Sequence, residues 1–111
     1  MEFVRTQTGD VVVVKLAGRL DGSNSHTAAQ SFADVLAGEP PRLAIDLSNL
    51  EYVSSAGLRV LLTVAKRIEQ AKGKVAVFGL NGGVRAVFSI GGFDTIFSIR
   101  PDLEAAVAAV Q

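Results

Sequence analysis

The chain contains no cysteine. That removes disulfides, thiolate chemistry and Cys-based zinc sites. It has a single histidine, His26, so a His/Cys cluster for a metal ion cannot be assembled. It has no net charge, because 11 Lys plus Arg balance 11 Asp plus Glu. A neutral chain offers no general electrostatic pull toward nucleic acid or an anionic membrane, and neither partner is expected. Apolar runs such as Val11–Val14 fall far short of the ~20 residues that cross a bilayer. The opening Met1-Glu2-Phe3-Val4-Arg5 reads as the start of a strand, so no secretory leader is expected. The lack of cysteine is compatible with a reducing cytoplasm, where the protein is expected to reside.

What is present is apolar residue, 49% of 111. That is enough for one core, and a single domain over residues 1–111 is expected. Val11–Ala17 is β-branched and nearly continuous, the pattern of a strand inside a sheet. Phe3–Thr8 precedes it as an edge strand, with Gly9-Asp10 as the turn and Gly18–Gly22 as the following loop. Ser23 or Asn24 can cap a helix with Ala28, Phe32, Val35 and Leu36 on one face. Gly38-Glu39-Pro40-Pro41 stops it. Leu43–Leu47 reads as a second buried strand, with Ser48–Val53 as a loop. Leu58, Leu61, Leu62, Ala65 and Ile68 then recur at helical spacing, opposite Arg59, Thr63, Lys66, Arg67 and Gln70. Gly73 ends that helix and Lys74–Phe78 is the next strand. Asn81-Gly82-Gly83 leads into a short helix, Thr95–Ile99 forms a last strand, and Pro101 opens an Ala-rich final helix. Alternation of this kind predicts an α/β fold, a four- to five-stranded, mostly parallel or mixed sheet packed with about four helices.

Catalytic arrangements fail on inspection. Ser55, His26 and Asp21 make a triad only on paper, and no Gly-x-Ser-x-Gly elbow exists. Asp21, Asp46, Glu51 and Asp94 sit at ordinary loop or strand-end positions. Gly79-Leu80-Asn81-Gly82-Gly83 follows a strand but lacks the Gly-Lys-Ser/Thr ending of a phosphate loop, and reads as a turn. No enzyme, catalytic residue, cofactor or metal site is expected.

The informative stretch is Asp46–Leu62, where a strand and a short segment deliver Ser54 and Ser55 to the start of the most amphipathic helix. One serine suffices as a cap, which is worth about 1 kcal/mol; two exceed that need. Gly57 in the first turn is itself disfavoured by roughly 1 kcal/mol against Ala. Ala56 and Gly57 leave the helix mouth bare of large side chains, which suits close approach by another protein. A phosphoserine there would add about −1.5 to −2 charges. The free N–H groups and positive end of the helix tolerate such a charge. A packed protein interface without a cationic partner does not.

These residues resemble the signature of the STAS family, named for sulfate transporters and anti-sigma-factor antagonists. The resemblance spans nearly the whole chain. It includes Leu16–Asp21, Asp46–Leu50, Ser54-Ser55-Ala56-Gly57-Leu58, Gly73-Lys74-Val75, Val84–Phe88 and Gly91-Gly92-Phe93. It implies an anti-sigma-factor antagonist that sequesters a serine-kinase anti-sigma factor and thereby frees the sigma factor. In that family the kinase inactivates the antagonist by phosphorylation, and a PP2C-type phosphatase restores it. The acceptor position falls on Ser55, with Ser54 as second choice. The partner surface falls on Asp21, Gly22, Ser23, Ser54, Ser55, Ala56, Gly57, Leu58 and Arg59. The residue before the acceptor is often Asp in the family and is Ser54 here; the one after is often Ser and is Ala56 here. A free chain is expected to be monomeric. The alternative is an unphosphorylated STAS subunit of a lipid-transport or signalling complex; a small-nucleotide binder using the Asp21 loop is a third reading.

Overall fold

A computed structural model describes residues 1–37 and 42–111, the side chain of Asp94 apart. The expected helix stop at Gly38–Pro41 lies outside the described residues. A polar edge strand and a valine-rich strand start the sheet. β1 (Glu2–Thr8) and β2 (Val11–Leu20) form an antiparallel hairpin in which Thr8 pairs with Val11. Gly9 takes the positive φ (+59°) that this two-residue turn demands. β3 (Arg42–Val53), β4 (Lys74–Phe78) and β5 (Ser98–Arg100) then add in parallel, in the spatial order β1-β2-β3-β4-β5.

Alternating side chains split the core into two layers. Val14, Leu16, Leu43, Ile45, Leu47 and Val77 pack against α1 (Ser25–Leu36), α2 (Ser55–Gln70) and α3 (Gly82–Ile90). Val11, Val13, Ala44, Ala76 and Phe78 pack on the other face against Ala106 and Val110 of α4 (Leu103–Val110). Strands covered on both faces read as continuous apolar runs, which is why Val11–Val14 shows no alternation. The five-stranded mixed sheet with four helices is the architecture the pattern predicts.

Several boundaries differ from expectation. β2 continues through Gly18 and Arg19 to Leu20, and β3 continues through Ser48–Tyr52 to Val53. Both extensions carry register shifts, between Lys15 and Ala17 and between Gly18 and Arg19, so the twofold pattern is broken where the strands go on. Neither Ser23 nor Asn24 caps α1 through its side chain. Asn24 instead accepts from the Asp21 N–H (3.0 Å) and donates to the Arg19 carbonyl (2.8 Å). At the end of α2 the left-handed residue is Lys72 (φ +61°), not Gly73. Gly73 donates to the Ile68 carbonyl and Lys72 to that of Glu69, closing the helix with a Schellman pair. Thr95 belongs to a short 3₁₀ turn (Phe93–Thr95), and the last strand starts only at Ser98. Pro101, expected to open α4, lies two residues before it; Asp102 caps the helix, its carboxylate accepting from the Ala105 N–H at 2.9 Å.

Candidate docking site at the start of helix α2

The parallel pairing of β2 and β3 puts their C-terminal ends side by side, with Leu20 opposite Val53. Each strand end feeds one half of the site: Asp21–Asn24 follows β2, and Ser54–Arg59 follows β3. The halves are stitched together by the Ser54 N–H, which donates to the Leu20 carbonyl at 2.9 Å.

The two serines have different surroundings. Ser54 is the N-cap of α2; its hydroxyl accepts from the Gly57 N–H at 3.2 Å, and its carbonyl accepts from the Leu58 N–H at 2.8 Å. Ser55 is the first helical residue and is exposed. Its hydroxyl makes no hydrogen bond among the described residues. The N–H groups of a first helical turn have no acceptor within the helix, so Ser55 stands at a mildly positive helix end.

Gly57 is buried beneath this mouth. A Cβ on it would lie 2.7 Å from the Leu20 Cγ, 2.8 Å from the Leu20 carbonyl oxygen and 3.0 Å from a Val53 methyl. The glycine is therefore required by close packing of α2 on β2 and β3, which corrects the expectation that it clears room for a visitor. Leu58 is also buried, at 8% exposure. Both residues, grouped above with the docking surface, support it from below. Ser55 and Arg59 are exposed and Ala56 is half-buried.

The Asp21 loop is tied down within itself. The Ser23 hydroxyl and N–H both donate to Asp21 Oδ1, at 2.5 and 2.9 Å. The Asp21 carbonyl accepts from the N–H groups of Asn24 and Ser25. The Ser23 hydroxyl, then the Ser23 N–H, with the Arg19 guanidinium adding a smaller effect, hold the Asp21 carboxyl below its ordinary range. Gly22 and Ser23 are exposed beside it. Sequence reasoning missed Arg19 and Tyr52, which pair across the strand ends. The Arg19 guanidinium lies 4.3 Å from the Tyr52 ring centroid and 3.8 Å from the Asp21 carboxylate. The signal was hidden because both residues sit in the strand extensions read as loops.

Among the described residues no three His, Cys, Asp or Glu side chains come together as a metal site would need. Nor, among the described residues, is any helix long and apolar enough to cross a membrane. The geometry offers a shaped, polar-rimmed surface: an exposed hydroxyl at a helix mouth beside a preorganised acidic loop. That defines a small mixed α/β domain with a polar-rimmed helix mouth at the C-terminal ends of β2 and β3.

The chain belongs to the STAS domain family, whose profile matches residues 2–106. It is 38% identical over 112 residues to BtrV of Bordetella bronchiseptica, provisionally named an anti-sigma factor antagonist; the match covers 100% of this chain and 96% of BtrV. It is 28% identical over 101 residues to the anti-sigma-F factor antagonist RsfB of Mycobacterium tuberculosis, covering 91% of this chain and 82% of RsfB. The crystal structure of an anti-sigma factor antagonist from Mycobacterium paratuberculosis superposes with a TM-score of 0.89 at 28% identity, covering 98% and 92% of the two chains.

Proposed function

We propose that this chain is an anti-sigma-factor antagonist, a binding module without catalytic activity, switched by phosphorylation of Ser55. Its partner is a serine-kinase anti-sigma factor, which it sequesters so that a sigma factor is released. A PP2C-type phosphatase restores it, and the cycle runs in the cytoplasm with the free chain monomeric. Relatives along nearly the full length of the chain are named anti-sigma factor antagonists.

The observation that carries the phosphorylation reading is the division between the two hydroxyls. Ser54 is engaged as the cap of α2, whereas Ser55 is exposed at the same helix mouth. A phosphate on Ser55 meets the positive end of a 16-residue helix and has Arg59 four residues on, on the same face. The fold therefore tolerates it. A partner packed over the mouth meets a dianion beside the Asp21 carboxylate, and binding is lost.

The test is phosphorylation of the purified chain by its cognate anti-sigma kinase with ATP, read by mass spectrometry. One phosphate is expected on the wild type and on Ser54→Ala, and none on Ser55→Ala. Ser54→Ala should unfold about 1 kcal/mol more easily through loss of the cap, with circular dichroism showing both variants folded. Modification that survives in folded Ser55→Ala would overturn the assignment. Stable capture by a transport complex with no kinase acting on the chain would replace the reading with that of a structural subunit.

A further inference from the structure

We infer that the groove between α1 and α2 is a second docking element, one that takes an amphipathic helix of the partner carrying a large apolar side chain between acidic residues. The inference rests on the antagonist reading only for which partner supplies that helix. The groove is open along one side and offers about 200 Å³, room for a side chain the size of a benzene ring, which a closed apolar cavity of ~150 Å³ admits. Buried Phe32 and Val64 line it together with Ala29 and Ala33 of α1 and Val60 of α2. Small side chains on α1 let a third helix come close, and helix-in-groove recognition uses anchors of this kind.

The charge around the groove selects the occupant. Arg59 and Arg67 are the charged residues that line it; both are exposed, and neither has an ion pair among the described residues. The acid of α1, Asp34, does not line it. Arg59 and Arg67 are eight residues apart on one helix, about 12 Å along its axis. Acids about two turns apart on a partner helix would meet both guanidiniums, while a leucine or phenylalanine between them enters the groove. Arg59 also lies one turn beyond Ser55, so the groove is continuous with the helix mouth. A phosphate on Ser55 competes for Arg59 and weakens the groove's hold on an acidic helix as well.

The probes are two synthetic helical peptides of about 15 residues, long enough to hold a helix in water. One carries leucine between two glutamates about two turns apart; the other has lysines in place of the glutamates. Both are titrated into the full chain and followed by NMR. The acidic peptide is expected to shift Ala29, Ala33, Val60 and Thr63, and the lysine peptide to bind at least about tenfold more weakly. The double variant Arg59→Glu, Arg67→Glu should reverse that preference. Ala33→Phe should block both peptides, and phosphorylation of Ser55 should weaken the acidic one severalfold. No shift, shifts elsewhere on the chain, or a preference unchanged by the charge reversal would overturn the inference. If the groove fails this test while the kinase still modifies Ser55, the antagonist reading stands alone. If the groove passes and Ser55 is never modified, the switch is what falls.

Discussion

Replacing Gly57 with alanine tests whether the site depends on how closely α2 sits on the sheet. By intrinsic propensity the change should help, since alanine is favoured over glycine inside a helix by about 1 kcal/mol. Packing opposes it. The new methyl would stand 2.7 Å from the Leu20 Cγ, 2.8 Å from the Leu20 carbonyl oxygen and 3.0 Å from a Val53 methyl. Leu20 is fully buried and its carbonyl already accepts from the Ser54 N–H, so neither can yield alone. Overpacking of this kind costs about 1–3 kcal/mol. With a backbone carbonyl oxygen among contacts under 3.0 Å, the cost falls in the upper part of that range, about 2–3 kcal/mol. Set against the propensity gain of about 1 kcal/mol, it leaves a net loss of about 1–2 kcal/mol, a large share of the ~5–15 kcal/mol that holds a domain together. Urea unfolding should show a lower midpoint at unchanged slope. Gly82→Ala is the control, since it lies in the first turn of α3 with nothing within 4 Å of its added methyl. It should be neutral or stabilising by about 0.5 kcal/mol. A Gly57→Ala chain as stable as wild type would refute the argument that close approach, rather than access for a partner, fixes this glycine.

Two further substitutions address features that composition did not announce. Lys72 closes α2 in the left-handed region, which is unfavourable by about 1–2 kcal/mol for a residue with a side chain. Lys72→Gly removes that strain but frees the unfolded chain, so a net gain of about 0.5 kcal/mol is expected, seen as a higher urea midpoint. Asp21 has its carboxyl held below the ordinary range, first by the Ser23 hydroxyl. A depressed folded value means the contribution to stability is present above the unfolded pKa and is lost as the pH falls through the folded one. Asp21→Asn should therefore flatten the acid limb of the pH–stability curve and leave its neutral and basic parts parallel to wild type. An unchanged acid limb would remove Asp21 as its source.

Apolar runs and one helical stripe made the centre of the fold legible, and bulges hid its edges. Val11–Ala17 and Lys74–Phe78 announce themselves as short, nearly continuous apolar runs, and Leu58–Ile68 as burial at helical spacing. Along Ser48–Val53 only Leu50 and Val53 are buried, a spacing of three that no regular strand displays. The register shifts near Lys15 and Gly18 produce it, and they emerge only once β2 and β3 are paired. The Arg19–Tyr52 contact depends on the same pairing and was invisible for the same reason. Lys72 escaped because glycine, the residue that favours the left-handed position, stands one place later.

The site shows the same limit more sharply. Residue type marked Ser54 and Ser55 as candidates but could not tell them apart, because both are good caps at adjacent positions. What separates them is the closing geometry of the first turn. Once the Ser54 N–H is fixed on the Leu20 carbonyl, its hydroxyl falls on the Gly57 N–H and its carbonyl on the Leu58 N–H. Ser55 is then the first residue of the helix proper, exposed and with no part in these bonds. The buried glycine makes that arrangement possible, for a larger residue would lift α2 and break the bond to Leu20. Packing beneath the helix thus determines which hydroxyl above it is engaged and which is left exposed. A serine whose role depends on the next strand's carbonyl cannot be assigned from its own neighbours in the chain.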